Sequence, residues 1–189
     1  MLRDQDAGAG LLRPLRALRP EIDTFAAVPP LALSHLHMDP DGPVPGGVGE
    51  HRLLGDLPAE AVDALVDTAG PGTCSPLHSL ELRQLGGAVA RPAPGAGALA
   101  TLDAAFMLFG AGIPAGSDAA AAIEARLATL FERLRPWDTG RLYANFAKGP
   151  ADPRAFFPPD TYRRLQRVKA EVDPDDLFLP IHPIPAPTP

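Results

Sequence analysis

Four stretches of this chain place apolar residues at helical spacing, and three place them at strand spacing. Leu11, Leu12, Leu15 and Leu18 share one helical face, with Pro14 tolerated in the first turn and the helix stopping near Pro20. Pro58 opens a second helix, with Val62, Leu65, Val66 and Ala69 as its inward stripe and Gly70-Pro71-Gly72 as its stop. Ser117 caps the third and clearest helix, which buries Ile123, Leu127, Leu130, Phe131 and Leu134 before Pro136 ends it. The fourth is basic and amphipathic, from about Asp160 to Val172. Leu77 to Leu85 reads as a strand before Gly86-Gly87, and Phe106-Met107-Leu108-Phe109 has the continuous apolar character of a buried central strand. Gly140 to Phe146 alternates as a short strand, with Leu142, Ala144 and Phe146 on its apolar side and Tyr143 and Asn145 on the other. From Glu21 to Gly55 periodicity fades among prolines and glycines, which predicts a long ordered loop or a wrapping segment. Hairpin-joined strands with segregated helices predict an α+β fold, an antiparallel sheet with helices packed on one side.

Composition narrows the function classes. A chain of 189 residues with 46% hydrophobic and 21% charged content suits one ordinary globular domain rather than a disordered segment. Its 24 prolines and 18 glycines predict short elements joined by long connections. A net charge of -6 argues against a nucleic-acid surface, and the arginines at Arg163, Arg164 and Arg167 make a local patch only. One cysteine, Cys74, excludes an internal disulfide, and with no adjacent histidine it reads as an inert thiol. The first residues lack a signal-peptide core and no run spans a bilayer, so a soluble, cytoplasmic protein is the expectation.

Several motifs stand in a telling order. They are Ser79-Leu80-Glu81-Leu82-Arg83-Gln84-Leu85-Gly86-Gly87-Ala88, Tyr143-Ala144-Asn145-Phe146, the helix end running to Val172-Asp173-Pro174, and the tail Ile181-His182-Pro183-Ile184-Pro185. The series resembles the C-terminal half of FAD-linked oxidoreductases, their substrate domain plus the berberine-bridge-enzyme-like segment. Gln84 stands where bacterial members commonly have histidine, and Ile181 where asparagine is usual. The resemblance implies residues 1–135 as a substrate-domain portion and 136–189 as the closing segment. It also implies an enzyme that oxidises a hydroxyl-bearing substrate, an alcohol or sugar-like molecule, by hydride transfer to FAD. Tyr143 is then the residue that accepts the hydroxyl proton. Because a free phenol ionises near pH 10, roughly, that role demands a charge or hydrogen bond on its oxygen. Asn145, Gly86, Gly87 and His182 join Tyr143 as the implied cofactor contacts. Arg141 either meets phosphate or is solvated, and the second is expected of an isolated arginine. The glycine-rich loop that grips the pyrophosphate in such enzymes has no counterpart here, so the resemblance implies a separate FAD-binding domain as partner.

Two other readings compete. A non-catalytic remnant would bind ligand or protein through the same sheet. A metal-dependent hydrolase would use His35, His37 and Asp39, whose H-x-H-x-D spacing opens a known ligand set; Pro40 then follows where another histidine is normal.

Overall fold

In the computed structural model, which describes residues 4–36, 42 and 46–187, the run at Phe106 becomes the middle of a three-stranded antiparallel sheet. The strands are β1 (Val48–Leu54), β2 (Ser79–Gln84) and β3 (Phe106–Gly112), in the order β1-β3-β2. Register sets His51 and Glu81 on either side of Phe109, and Arg52 and Leu82 on either side of Leu108. Alternation therefore gives the sheet two distinct faces. One carries Leu54, Leu108 and Leu80 and is covered by α3 (Ser117–Leu134), against which α2 (Ala59–Ala69) also packs. The other carries His51, Leu53, Met107 and Phe109. Both faces are dry at their centres, because Leu53 and Met107 are as buried as Leu54 and Leu108.

The α+β class with an antiparallel sheet is as the pattern predicts, and the stripe expected on α3 is buried in full: Ile123, Leu127, Leu130, Phe131 and Leu134. Small residues let α3 sit close to β3. A Cβ placed on Gly112 would lie 2.6 Å from Cδ1, 2.7 Å from Cγ1 and 3.1 Å from Cγ2 of Ile123. A β-branched side chain on a helix has essentially one χ1 rotamer, so Ile123 cannot swing aside. Gly112→Ala is expected to cost about 1–3 kcal/mol by overpacking, read as a lower urea midpoint at unchanged slope.

Several local expectations are corrected. The segment read as loop from Glu21 to Gly55 contains β1 and a 3₁₀ helix at Pro30–His35. On α2 the inward residues are Ala61, Ala64 and Thr68, with Leu65 half-buried, whereas Val62 and Val66 face solvent at 41% and 53% exposure. The helix is turned by about one residue from the expected stripe. Small side chains permit close packing on α3, and Arg133 donates to the Thr68 hydroxyl while Arg126 donates to the Thr68 carbonyl. Ser117 is the first residue of α3 rather than its cap; the chain enters through Gly116 at φ +104°, where no side-chain cap forms. Pro58 is likewise the residue before α2.

Two units divide the chain, Met1–Val44 and Pro45–Pro189. The first is built on α1 (Gln5–Ala17), which begins earlier than expected because Asp4 accepts from the Asp6 amide as N-cap, so Pro14 lies in its interior. Arg16 anchors the returning chain through Asp23 at 2.7 Å and the Phe25 carbonyl at 2.9 Å. Those bonds, first from Arg16 and then from the Phe25 amide, hold the Asp23 carboxyl below its ordinary range. Among the described residues no helix is long and apolar enough to cross a membrane.

Candidate functional site

The segment leaving α3 covers the second face of the sheet. Arg135–Trp137 make one 3₁₀ turn, after which Asp138 bridges to Leu54 and both the amide and the hydroxyl of Thr139 donate to the Leu53 carbonyl at 2.9 Å. The Asp138 carboxylate accepts the Gly140 amide at 2.8 Å, and Gly140 turns at φ +68°. This side-chain turn diverts the chain, so the strand expected over Gly140 to Phe146 does not form. Instead Ala144–Phe146 close a 3₁₀ turn through the Phe146 amide and the Tyr143 carbonyl at 2.9 Å. The expectation that Tyr143 faces away from Phe146 is thereby overturned. A turn of three residues sets positions i and i+3 on one side, and the two rings stack at 5.9 Å and 29°.

Phe146 is the anchor of this cover. Its ring meets Phe109 edge-on at 5.3 Å, lies 6.2 Å from His51, and carries the Arg83 guanidinium 4.9 Å above its centroid. The phenol oxygen of Tyr143 receives the Asn145 side-chain amide at 3.2 Å. The donor stands two residues on in the chain. The Tyr143 main-chain amide donates to Nε2 of His51 at 2.8 Å. His51 was not singled out from the sequence, since one histidine in a stretch of glycine and charge carries no motif. Arg141 is half-buried and not merely solvated: its guanidinium donates to the carbonyls of Phe157 and Arg154, tying this segment to the chain ahead of α4 (Pro159–Val172).

The other expected site residues are spread out. Gly86 and Gly87 end β2 at φ +111° and +53°, and nothing lies within 4 Å of where their Cβ atoms would stand. Their backbone is therefore open to approach by another group. His182 packs on Phe156 with ring centroids 4.6 Å apart, and its buried Nδ1 has no partner. No hydrogen bond or ring contact among the described residues joins His182 to Tyr143 or Asn145. Of the residues read as a metal set, His35 ends an exposed 3₁₀ helix, while His37 and Asp39 lie outside the described residues. Among the described residues no group of three or more His, Cys, Asp or Glu could hold a metal ion.

The helix end that carries the Asp173-Pro174 motif is fixed by charge. Asp173 accepts from Lys169 Nζ at 2.8 Å and from the Leu177 amide at 2.8 Å, while Lys169 also reaches Asp176 at 2.7 Å. Lys169 first, then the Leu177 amide, keep the Asp173 carboxyl below its ordinary range against the effect of burial.

Two cavities, of about 270 and 470 Å³, flank the edge strand β1 and share Glu50, Arg52 and Lys148. Neither is lined by Tyr143, Asn145, Gly86, Gly87 or His182. Asn145 is exposed and Tyr143 half-buried. These residues fit FAD in part. Asn145 is an exposed carboxamide with unused donor and acceptor capacity and the backbone of Gly86 and Gly87 is open, groups that each suit the polar edge of a flat ring.

Residues 142–185 match the family model described as berberine and berberine like. Among solved structures, BBE-like 1 of Physcomitrella patens superposes with a TM-score of 0.67 at 15% identity, covering 82% of this chain and 33% of that one. Phl p 4, a grass pollen allergen described as having glucose dehydrogenase activity, gives 0.62 at 16% identity, with 76% and 33% covered. No curated protein matches the sequence. The chain spans about a third of the length of each of these two structures. The closing segment is thus similar to berberine-like proteins, and the fold of the chain to a part of BBE-like 1. What it resembles in particular is the C-terminal half of FAD-linked oxidoreductases, substrate domain and closing segment together.

Proposed function

We propose that this chain is the C-terminal part of an FAD-dependent oxidoreductase that oxidises a hydroxyl-bearing substrate, an alcohol or sugar-like molecule, in company with an FAD-binding domain. Residues 1–135 are then the substrate-domain portion and 136–189 the closing segment. The observation that carries this reading is the hydrogen bond of Asn145 to the Tyr143 phenol, on a segment that matches the family model. When bound, FAD supplies the acceptor for the hydride. Tyr143, entering as the phenolate, receives the proton of the substrate hydroxyl at its oxygen and becomes the neutral phenol, and the Asn145 amide keeps that oxygen in place. The stack on Phe146 fixes the ring plane, so the phenol does not need to be oriented afresh for each turnover. Asn145, the backbone of Gly86 and Gly87, and His182 are the groups proposed to meet the flavin.

With the pyrophosphate assigned to the partner domain and only the ring to this chain, the proposal requires the chain to discriminate little between flavins. Titrating riboflavin and FAD into the chain with ring fluorescence as readout is expected to give two weak affinities within about threefold of each other. FAD binding more than about tenfold tighter would place a phosphate site in this chain and contradict the division proposed. Absence of quenching by either flavin would favour the non-catalytic remnant.

A further inference from the structure

Tyr143 sits in a stretch with no strand partner, yet the proposed chemistry needs its oxygen held in one place. Arg141 and Leu142 precede it without joining the sheet, and a single 3₁₀ turn follows. One hydrogen bond ties its main chain to the sheet, and the acceptor is a side chain ninety-two positions away, Nε2 of His51. His51 lies at the middle of β1 with no exposed surface at all. An imidazole nitrogen that accepts carries no proton, so the proton of the neutral ring resides on Nδ1. That Nδ1 has no hydrogen-bond partner, and the Glu50 Oε1 nearest it stands 3.4 Å away.

Packing alone does not account for such a residue. A leucine or phenylalanine would fill the same interior position without burying an unpartnered N–H beside Leu53 and Met107. The neighbouring carboxylate favours this tautomer. Glu50 accepts the His51 amide at 2.9 Å and lies 3.5 Å from Arg52. Although burial works the other way, the His51 ring and amide beside it and the charge of Arg52 keep the Glu50 carboxyl below its ordinary range. An anion beside Nδ1 stabilises the proton there and leaves Nε2 free to accept.

We propose that His51 is the positioning residue for Tyr143: a neutral imidazole, its tautomer set by Glu50, holds the Tyr143 main chain against β1 and so places the phenol. This rests on the proposed role of Tyr143 for its purpose, but not for its structural content. Loss of the acceptor leaves the Tyr143 amide without a partner and loosens the turn to Phe146, while the α3 side of the sheet is untouched. Glutamine reaches as far as Nε2 and ends in an acceptor oxygen, whereas asparagine reaches only the Nδ1 position. The two variants therefore separate the hydrogen bond from mere polarity.

The test needs no flavin. Amide hydrogen exchange on the full chain, resolved residue by residue, is expected to show Tyr143 protected in the parent and in His51→Gln. In His51→Asn and His51→Leu its exchange should rise about tenfold or more, while Leu108 in β3 changes less than about twofold. Nitrogen chemical shifts of the parent should show Nδ1 protonated and Nε2 not. A Tyr143 amide that exchanges equally fast in all four proteins would overturn the proposal. So would the opposite tautomer, which remains readable in the parent even if the leucine variant fails to fold, and so would protection lost evenly across β3. In the assembled flavoenzyme, His51→Asn should lower kcat and leave KM nearly unchanged. Should kcat hold while the exchange result stands, the positioning survives and the proposed role of Tyr143 falls.

Discussion

Replacing Tyr143 by phenylalanine is expected to lower the turnover of the assembled flavoenzyme by about a hundredfold or more, the usual worth of a positioned proton acceptor. The fold should be indifferent to the change. Neither the stack on Phe146 nor the main-chain bond to His51 uses the hydroxyl, and the Asn145 amide that loses its partner is exposed and can turn to water. KM should move little, because the hydroxyl acts on a proton in flight rather than on bound substrate as a whole. Steady-state kinetics of the two proteins, with matched flavin content, give the comparison. Equal turnover would remove Tyr143 from the chemistry while leaving its place in the cover of the sheet intact.

The largest stability effect is expected at Leu130. This residue has no exposed surface and lies in the cluster that joins α2, α3 and the helix-side face of the sheet with Leu54, Leu108 and Leu134. Leucine to alanine at such a site costs about 2–5 kcal/mol, transfer and cavity terms together. Collapse around the hole is limited here, since glycines at positions 110 and 112 already bring α3 close to β3. Given a total stability of about 5–15 kcal/mol for an ordinary domain, Leu130→Ala should take away a large fraction of it. Urea unfolding followed by circular dichroism reads this directly; a loss under about 1 kcal/mol would mean that the helix packs less tightly than described. Equivalent truncation at solvent-facing Val62 should cost far less, which checks the corrected rotation of α2 as well.

What could be read from the sequence followed from how cleanly each element separates its faces. The α3 stripe was legible because it faces a dry core on one side and water on the other, so its period survives in the residues. β3 was legible because both its faces are covered and its apolar run is continuous. β1 was missed for the opposite reason: Glu50 and Arg52 stand on the same face as Leu54, and a histidine stands with Leu53 on the other, so no alternation of apolar and polar residues marks it. Around Tyr143 the period-two alternation corresponds to no strand: the chain turns there, and Tyr143 and Phe146 come to share a side. The Asp138 turn and the positive φ of Gly140 decide that, and a period-two pattern does not reveal them. Tyr143 and Asn145 were expected to share a strand face, with Asn145 turned to cofactor or backbone; the hydrogen bond between their side chains, beside a 3₁₀ turn, was not expected. The role of His51 depends on a contact ninety-two residues away and has no local signature.

The central claim is that these residues form the substrate side of a flavin oxidoreductase. Its most direct test combines this chain with an FAD-binding domain of a berberine-like protein, removes unbound FAD, and follows the visible flavin band without oxygen as alcohols and sugars are added. The account predicts that the chain alone emerges colourless, that the complex keeps its flavin, and that at least one hydroxyl-bearing compound bleaches the band, about a hundredfold more slowly with Tyr143→Phe. A complex that holds flavin and is bleached by none of them, or a chain that retains no flavin with any such domain, would contradict it.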